Sequence, residues 1–391
     1  MEISHYFEPV DLEGHQYFKQ TDKNKLGNLI EVYQQKDDFP ALDDVSLAII
    51  GVTEDRAALQ NKGCRKGPDI VRDYLYQLYT HWNQIKIADL GNIIKGHTLQ
   101  DTYFALKEAI AHLVKHNIVP IIIGGSQDLT FANYTAYQDL SKIVNIATID
   151  YQLDLGNSEL ELDSKSFFSR IILQQPNFLF NYTNIGYQSY FVDQDAITLM
   201  HNMFFELHRL GTVRSNMEEA EPLIRDADIL SFDISAVRHS DAPGSFYSGP
   251  NGFTSEEACK ICRYAGMSDK LSSFGVYEVN PDLDDRGQTA YLAAQMIWYF
   301  IDGYMNRPGD IPEENSDDYV RFVITAGDID DELIFLKSKK SDRWWMEVQI
   351  ENKFQHKYWR QQFVPCSYQD YQTALKNEIP DRWWRVHQKL M

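Results

Sequence analysis

The chain has 391 residues, 43% of hydrophobic type, and its 37 basic against 57 acidic side chains give a formal net charge of -20 at pH 7. A surface this acidic repels phosphate backbones and anionic lipid, so nucleic acid and membranes are not expected partners, whereas a small cationic ligand or another protein is. The chain lacks the ~18-residue apolar run of a membrane span and a basic leader before an apolar stretch, and four cysteines are too few for a disulfide scaffold. A cytoplasmic protein is expected.

Residues 1–45 read as an N-terminal segment packing on the core. From 46 to 305 one rhythm repeats: a short apolar run ending in Gly, Asp or Glu, then an amphipathic helix. The runs are SLAIIGV (46–52), IKIADLG (85–91), IVPIIIGG (118–125), IVNIATID (143–150), NYTNIGY (181–187), ADILSFD (227–233) and SSFGVYEV (272–279). Runs apolar on both faces, alternating with helices, predict a parallel sheet covered on both sides. Pro68 suits the first turn of a helix over 67–79, Asn117 a left-handed stop, and Thr254 with Glu257 a capping box. Residues 306–391 form a C-terminal extension: a polar linker, strands from YVRFVITAG, ELIFLKS and RWWMEVQI, and a short helix. The apolar residues left there are too few for a secure core of its own.

Ligands of open α/β sheets bind outside the carboxyl ends of the strands. Those ends carry Gly124-Gly125-Ser126-Gln127-Asp128, Asp150 through Asp154, Asp233-Ile234-Ser235 and Glu278-Val279-Asn280-Pro281. Asp150, Asp154, Asp233 and Glu278 would converge on one rim, and close carboxylates need a cation, donors or raised pKa values. Cys259 and Cys262, His112 and His116, and the tail tryptophans read as packing or surface residues. No residue is assigned a catalytic role from this pattern.

The order of motifs resembles the ureohydrolase family, which includes arginase, agmatinase and formimidoylglutamase. GGSQD matches the family's G-G-D-H-S, Asp150 through Asp154 its D-A-H-x-D, and Ser231 through Ser235 its S-x-D-x-D. Ala242-Pro243-Gly244, NGFT (251–254), Glu278 through Asp284, KGPDIVR (66–72) and ADLGN (88–92) match further segments. The resemblance implies a three-layer αβα sandwich with a parallel sheet of about eight strands, here with a β-rich C-terminal extension. It further implies hydrolysis of guanidines or amidines by two manganese ions, a homo-oligomer, and a grip on the guanidinium by Glu278.

Carried over by position, one metal of the family would meet Gln127, Asp150, Asp154 and Asp233. The other would meet Gln152, Asp150, Asp233 and Ser235. Two imidazoles are thereby replaced by amides and one carboxylate by a hydroxyl, and amide oxygens are weak ligands for Mn2+. A manganese pair is not expected. The residual Asp150, Asp154 and Asp233 suit at most one hard cation, Mg2+ or Ca2+. The competing arrangement has no metal and a protein cation in its place, for which Arg238 is the candidate. The stretch 155–173, where the family has a proton-shuttling histidine, has none. The expectation is a formimidoylglutamase-like protein that has lost its dinuclear site and serves a structural, regulatory or ligand-binding role. The alternative is a hydrolase of linear amidines or guanidines with an altered centre.

Overall fold

Apolar runs too short for helices and rich in Ile and Val pair most favourably as strands buried on both faces. The computed structural model, which describes residues 3–11, 22–82, 85–156, 161–313, 316–325, 332–350 and 355–390, shows where those runs pair. Two short strands, β1 (Phe7–Glu8) and β2 (Glu31–Val32), lie along the outer edge of β4. Eight longer strands make the body of the sheet: β3 (Leu47–Gly51), β4 (Ile87–Ile93), β5 (Val119–Ile123), β6 (Val144–Ile149), β7 (Leu179–Tyr187), β8 (Glu206–Arg209), β9 (Ile229–Asp233) and β10 (Ser273–Tyr277). All eight run parallel, in the order β4-β3-β5-β10-β9-β6-β7-β8. Seven of them fall on the apolar runs. The eighth, β8, is an edge strand of sequence ELHR with only Glu206 buried, so it carries no apolar run to read.

Side chains of each strand alternate between two apolar layers. Leu47 and Ile49 join one with α1 (Gly67–Leu75), α6 (Leu210–Ser215), α7 (Ala220–Arg225), α8 (Ser255–Met267) and α9 (Gln288–Met305). Ala48 and Ile50 join the other with α2 (Leu99–Lys115), α3 (Leu129–Asp139), α4 (Phe167–Leu173) and α5 (Gln194–Asn202). The result is the three-layer αβα arrangement. Thr254 and Glu257 close the capping box of α8. Arg72 of α1 is buried and donates to both oxygens of Asp89 on β4, at 2.8 and 2.9 Å, so the KGPDIVR and ADLGN motifs meet as a structural ion pair. Among the described residues no helix is long and apolar enough to cross a membrane.

The C-terminal segment forms a second, antiparallel sheet of β11 (Tyr319–Thr325), β12 (Glu332–Ser338), β13 (Trp344–Glu347) and β14 (Phe363–Cys366). The short helix α10 (Gln355–Tyr358) precedes β14, and α11 (Tyr368–Leu375) and α12 (Asp381–Leu390) follow it. Leu333, Phe335, Trp344, Met346, Val364, Trp383, Val386 and Leu390 of this segment form one apolar cluster that is shared with the body through Phe180 of β7. Large aromatic side chains carry much of this cluster, because a few of them bury as much area as many aliphatic ones. Buried polar ties complete the docking, including Arg382 to Glu206 of β8 at 3.1 Å.

Candidate functional site at the carboxyl rim of the sheet

Four neighbouring strands, β5, β10, β9 and β6, end side by side at the middle of the sheet. Their exits deliver Gln127, Glu278, Asp233 and Asp150 in turn, so residues far apart in sequence meet because the strand order brings them together. Gly125 makes the crowding possible: a Cβ there would lie 1.8 Å from the Glu54 carbonyl oxygen. Its own carbonyl accepts the Glu278 amide at 2.8 Å. Asp154 (φ 46°) and Glu278 (φ 67°) hold left-handed backbone conformations, which cost non-glycine residues roughly 1–3 kcal/mol and cluster at functional sites.

Asp150, Asp154, Asp233 and Glu278 are all buried. Asp150 Oδ1 accepts the Gln152 amide at 3.0 Å, and Asp233 Oδ1 accepts the Ser235 amide at 2.8 Å. Gln152 Nε2 donates to Asp154 Oδ1 at 2.7 Å. The Gln127 amide orientation that satisfies its neighbours turns its nitrogen to Asp150 Oδ2 (3.0 Å), Asp154 Oδ2 (3.1 Å) and Asp233 Oδ2 (3.3 Å). Glu278 receives the Gln127 backbone N–H on Oε1 at 2.8 Å and Asn61 Nδ2 on Oε2 at 2.7 Å. The hydroxyl of Ser235 is buried with no partner.

The cation in this cluster is Lys165. Its ammonium lies 3.5 Å from Asp233 Oδ2 and 3.7 Å from Asp154 Oδ1, with its side chain 16% exposed. The rings of Tyr151 and Tyr247 flank it, their centroids 5.0 and 4.7 Å from Nζ, which adds cation–π attraction. The loop carrying it is pinned: Lys165 N–H donates to Asp163 Oδ1 at 2.8 Å, its carbonyl accepts from Gly156 at 2.8 Å, and Ser164 N–H reaches the Ala57 carbonyl at 3.0 Å. Arg238, expected in this role, is elsewhere. Its guanidinium pairs with Asp241 Oδ1 at 2.7 Å and stays 41% exposed, because the acid three residues on is nearer than the rim.

Electrostatics follow from this count of charges. Burial would lower the Lys165 pKa, but Asp154, Asp233 and Asp150 outweigh it and hold the ammonium well above the usual lysine range. One ammonium cannot balance four buried carboxylates, so protons stay on some of them. Burial, then Asp154 and Asp233, push Asp150 well up; burial is also the chief cause for Asp154, which shifts in the same direction. Glu278 rises to about 8, from burial first and Asp233 second. A cavity of about 250 Å³, lined by Gln152, Asp154, Lys165, Phe191, Asp193 and Ala196, opens beside the cluster.

The rim thus brings together Gln127, Asp150, Gln152, Asp154, Asp233, Ser235 and Glu278. It also contains Lys165, Asn61, Tyr151 and Tyr247, which had not been singled out. The stretch 155–173 lacks a histidine, and its functional group is a lysine instead. The signal that could have found Lys165 was the charge deficit itself, since 155–173 offers only Lys165 and Arg170 as cations. Cys259 and Cys262 are free thiols buried in α8. His112 in the last turn of α2 and His116 just after it lie close together, their ring centroids 4.4 Å apart and the rings tilted by 37°.

A family model described as the arginase family matches residues 45–302. Formimidoylglutamase of Lysinibacillus sphaericus is 23% identical over 288 residues, covering 70% of this chain and 89% of that protein. The enzyme of the same name from Staphylococcus haemolyticus is 27% identical over 281 residues, covering 66% and 86%. Among solved structures, formiminoglutamase of Trypanosoma cruzi with Mn2+ superposes with a TM-score of 0.65 at 22% identity, covering 73% of this chain and 100% of that one. Formimidoylglutamase of Bacillus subtilis gives 0.67 at 20% identity, covering 76% and 96%. At these identities the structural likeness is one of fold, and the family match itself spans most of the chain. The chain belongs to the arginase family.

Proposed function

We propose that this member of the arginase family does not work as a dimanganese hydrolase: its rim carboxylates are compensated from within, and the protein acts in a binding or structural role. The observation that carries the reading is the Lys165 ammonium, 3.5 Å from Asp233 and 3.7 Å from Asp154. A divalent ion about 4 Å from that ammonium would be repelled by roughly 8 kcal/mol at an effective dielectric constant of about 20. The donor set points the same way. Gln127, Gln152 and Ser235 offer only neutral amide and hydroxyl groups, which are weak ligands for Mn2+, so a manganese pair does not fit the residues present. A single Mg2+ or Ca2+ would require Lys165 to leave.

A second reading is hydrolysis of linear amidines through an altered centre. The likeness to formimidoylglutamases favours it, as does the survival of Asp150, Asp154, Asp233 and Glu278 together on the rim. The full-length protein, exposed to excess Mn2+ and desalted, separates the two by metal analysis and an assay for urea or formamide release from arginine- and formimidoylglutamate-like compounds. No stoichiometric manganese and no turnover are expected. A retained manganese pair with turnover would overturn the first reading.

A further inference from the structure

Away from the rim, a cavity of about 450 Å³ lies between the α/β body and the C-terminal sheet, within the roughly 300–1,000 Å³ of small-molecule sites. Arg225 of α7 and Asp269 and Lys270 after α8 form one wall. The rest of the lining comes from residues 310–365, beyond residue 302 where the family match ends. The cleft is therefore a product of the extension.

Four cations line it: Arg225, Lys270, Arg343 and Arg360. Three acids face them, Asp269, Asp310 and Glu313. Most of these groups are committed within the wall. Lys270 pairs with Asp226 at 2.9 Å, Arg360 with Asp228, and Arg343 with Asp310 at 3.5 Å. Asp269 accepts the backbone N–H groups of Gly309 and Asp310, at 3.3 and 3.4 Å, and burial pushes its pKa up. Glu313 is exposed, where solvent and salt screen its charge.

Arg225 is the exception. It is 4% exposed, and only its Nη2 is hydrogen-bonded, donating to the Trp344 and Cys366 carbonyls at 3.2 and 3.3 Å. Its Nε lies 2.9 Å from Glu221 Oε1, yet neither atom makes a hydrogen bond, and Nη1 has no partner among the described residues. Arg343 also draws on Glu221, at 3.4 Å, so two guanidinium groups share that carboxylate. Buried donors left unmade are costly, and what this one lacks is an acceptor. A carboxylate matches a guanidinium fork best.

The surroundings add an apolar requirement. The Arg225 guanidinium stacks over Trp345, 4.2 Å from its ring centroid, which fixes the plane of the fork. Trp359, 61% exposed, and Ile311, 53% exposed, stand at the mouth, with Phe363 also on the wall. We propose that this cleft binds a small organic carboxylate with an aromatic or branched apolar body. The carboxylate accepts from Arg225 Nη1, and the body lies against Trp359, Ile311 and Phe363. The site is independent of the rim and of the reading given to it.

Titration calorimetry on the full chain tests this with phenylacetate, its neutral isostere phenylacetamide, and phenethylamine. Phenylacetate is expected to bind saturably and about tenfold more tightly than the amide, with the amine weakest. Trp359→Ala, at an exposed position remote from Asp150, should weaken acid and amide alike, about tenfold each. Arg225→Gln should abolish the preference for the acid over the amide. Should that variant fold poorly, the Trp359 variant still locates the site, and phenylacetate binding that it leaves unchanged would overturn the proposal. So would an acid bound no better than the amide or the amine, a preference that survives Arg225→Gln, or the absence of saturable phenylacetate binding.

Discussion

Lys165, at the carboxyl rim of the sheet, and Lys389, on the underside of α12, are both folded against the α/β body, yet they hold their protons differently. Lys165 sits against Asp154 and Asp233 and keeps its charge well above the usual lysine range. Lys389 Nζ lies 5.4 and 5.0 Å from the ring centroids of Phe180 and Phe205 and donates to Asn181 Oδ1, a neutral acceptor. Burial dominates there, the attraction of Glu206 and Asp226 is weaker, and its pKa falls to about 7. Glu206 lies nearby but is already engaged by Arg382 at 3.1 Å. A folded lysine therefore keeps its charge only where acids are in contact and uncommitted. The rim meets that condition, and the terminal helix does not.

The largest expected effect comes from removing the better-held cation. Lys165→Ala leaves the buried carboxylates without their cation, and stripping one member from a buried pair typically costs about 3–5 kcal/mol. Denaturant titration at neutral pH should show that loss, and added Mg2+ or Mn2+ should restore part of it in the variant but not in the wild type. A variant as stable as the wild type would break the comparison.

Glu278 sharpens it from the acid side. Its folded pKa, about 8, exceeds its ordinary 4.5, so the folded state binds the extra proton. That contribution to stability is fully present below pH 4.5 and is lost as pH rises through about 8. Glu278→Gln should remove this part of the pH dependence, seen as a flatter stability profile across that window.

For Lys389 the sign reverses. The folded pKa of about 7 lies below the ordinary 10.5, so its contribution is complete above 10.5 and is lost as pH falls through about 7. Hydrogen exchange of residues 381–390 should slow as pH rises over that interval, after correction for intrinsic rates, and Lys389→Met should abolish the trend. Smallest of all, Arg238→Ala should leave both the melting midpoint and the metal behaviour unchanged, since its partner Asp241 is outside the cluster.

Much of this was legible in the residues. Short apolar runs marked seven strands, and the residues at their ends named Asp150, Asp154, Asp233 and Glu278 as one rim. What escaped had a physical reason in each case. Strand β8 is a polar edge with nothing to bury on its outer side, and β14 contains Pro365, which argues against a strand until the tertiary context is known. Lys165 lies on an irregular loop, where neither periodicity nor strand ends point. Arg238 looked apt because it follows Asp233 by five residues, but proximity along the chain lost to Asp241, which is closer still in space. The extension's core depends on Phe180, supplied from β7, and no reading of residues 306–391 alone could include it.

The central claim is that an ammonium stands where the family's fold would present carboxylates to manganese. Crystals of the full-length protein grown with Mn2+ and measured at the manganese absorption edge test it most directly. Lys165 Nζ is expected in contact with Asp154 and Asp233, with no anomalous peak between the carboxylates. A pair of anomalous peaks there, with Lys165 swung out toward solvent, would contradict it.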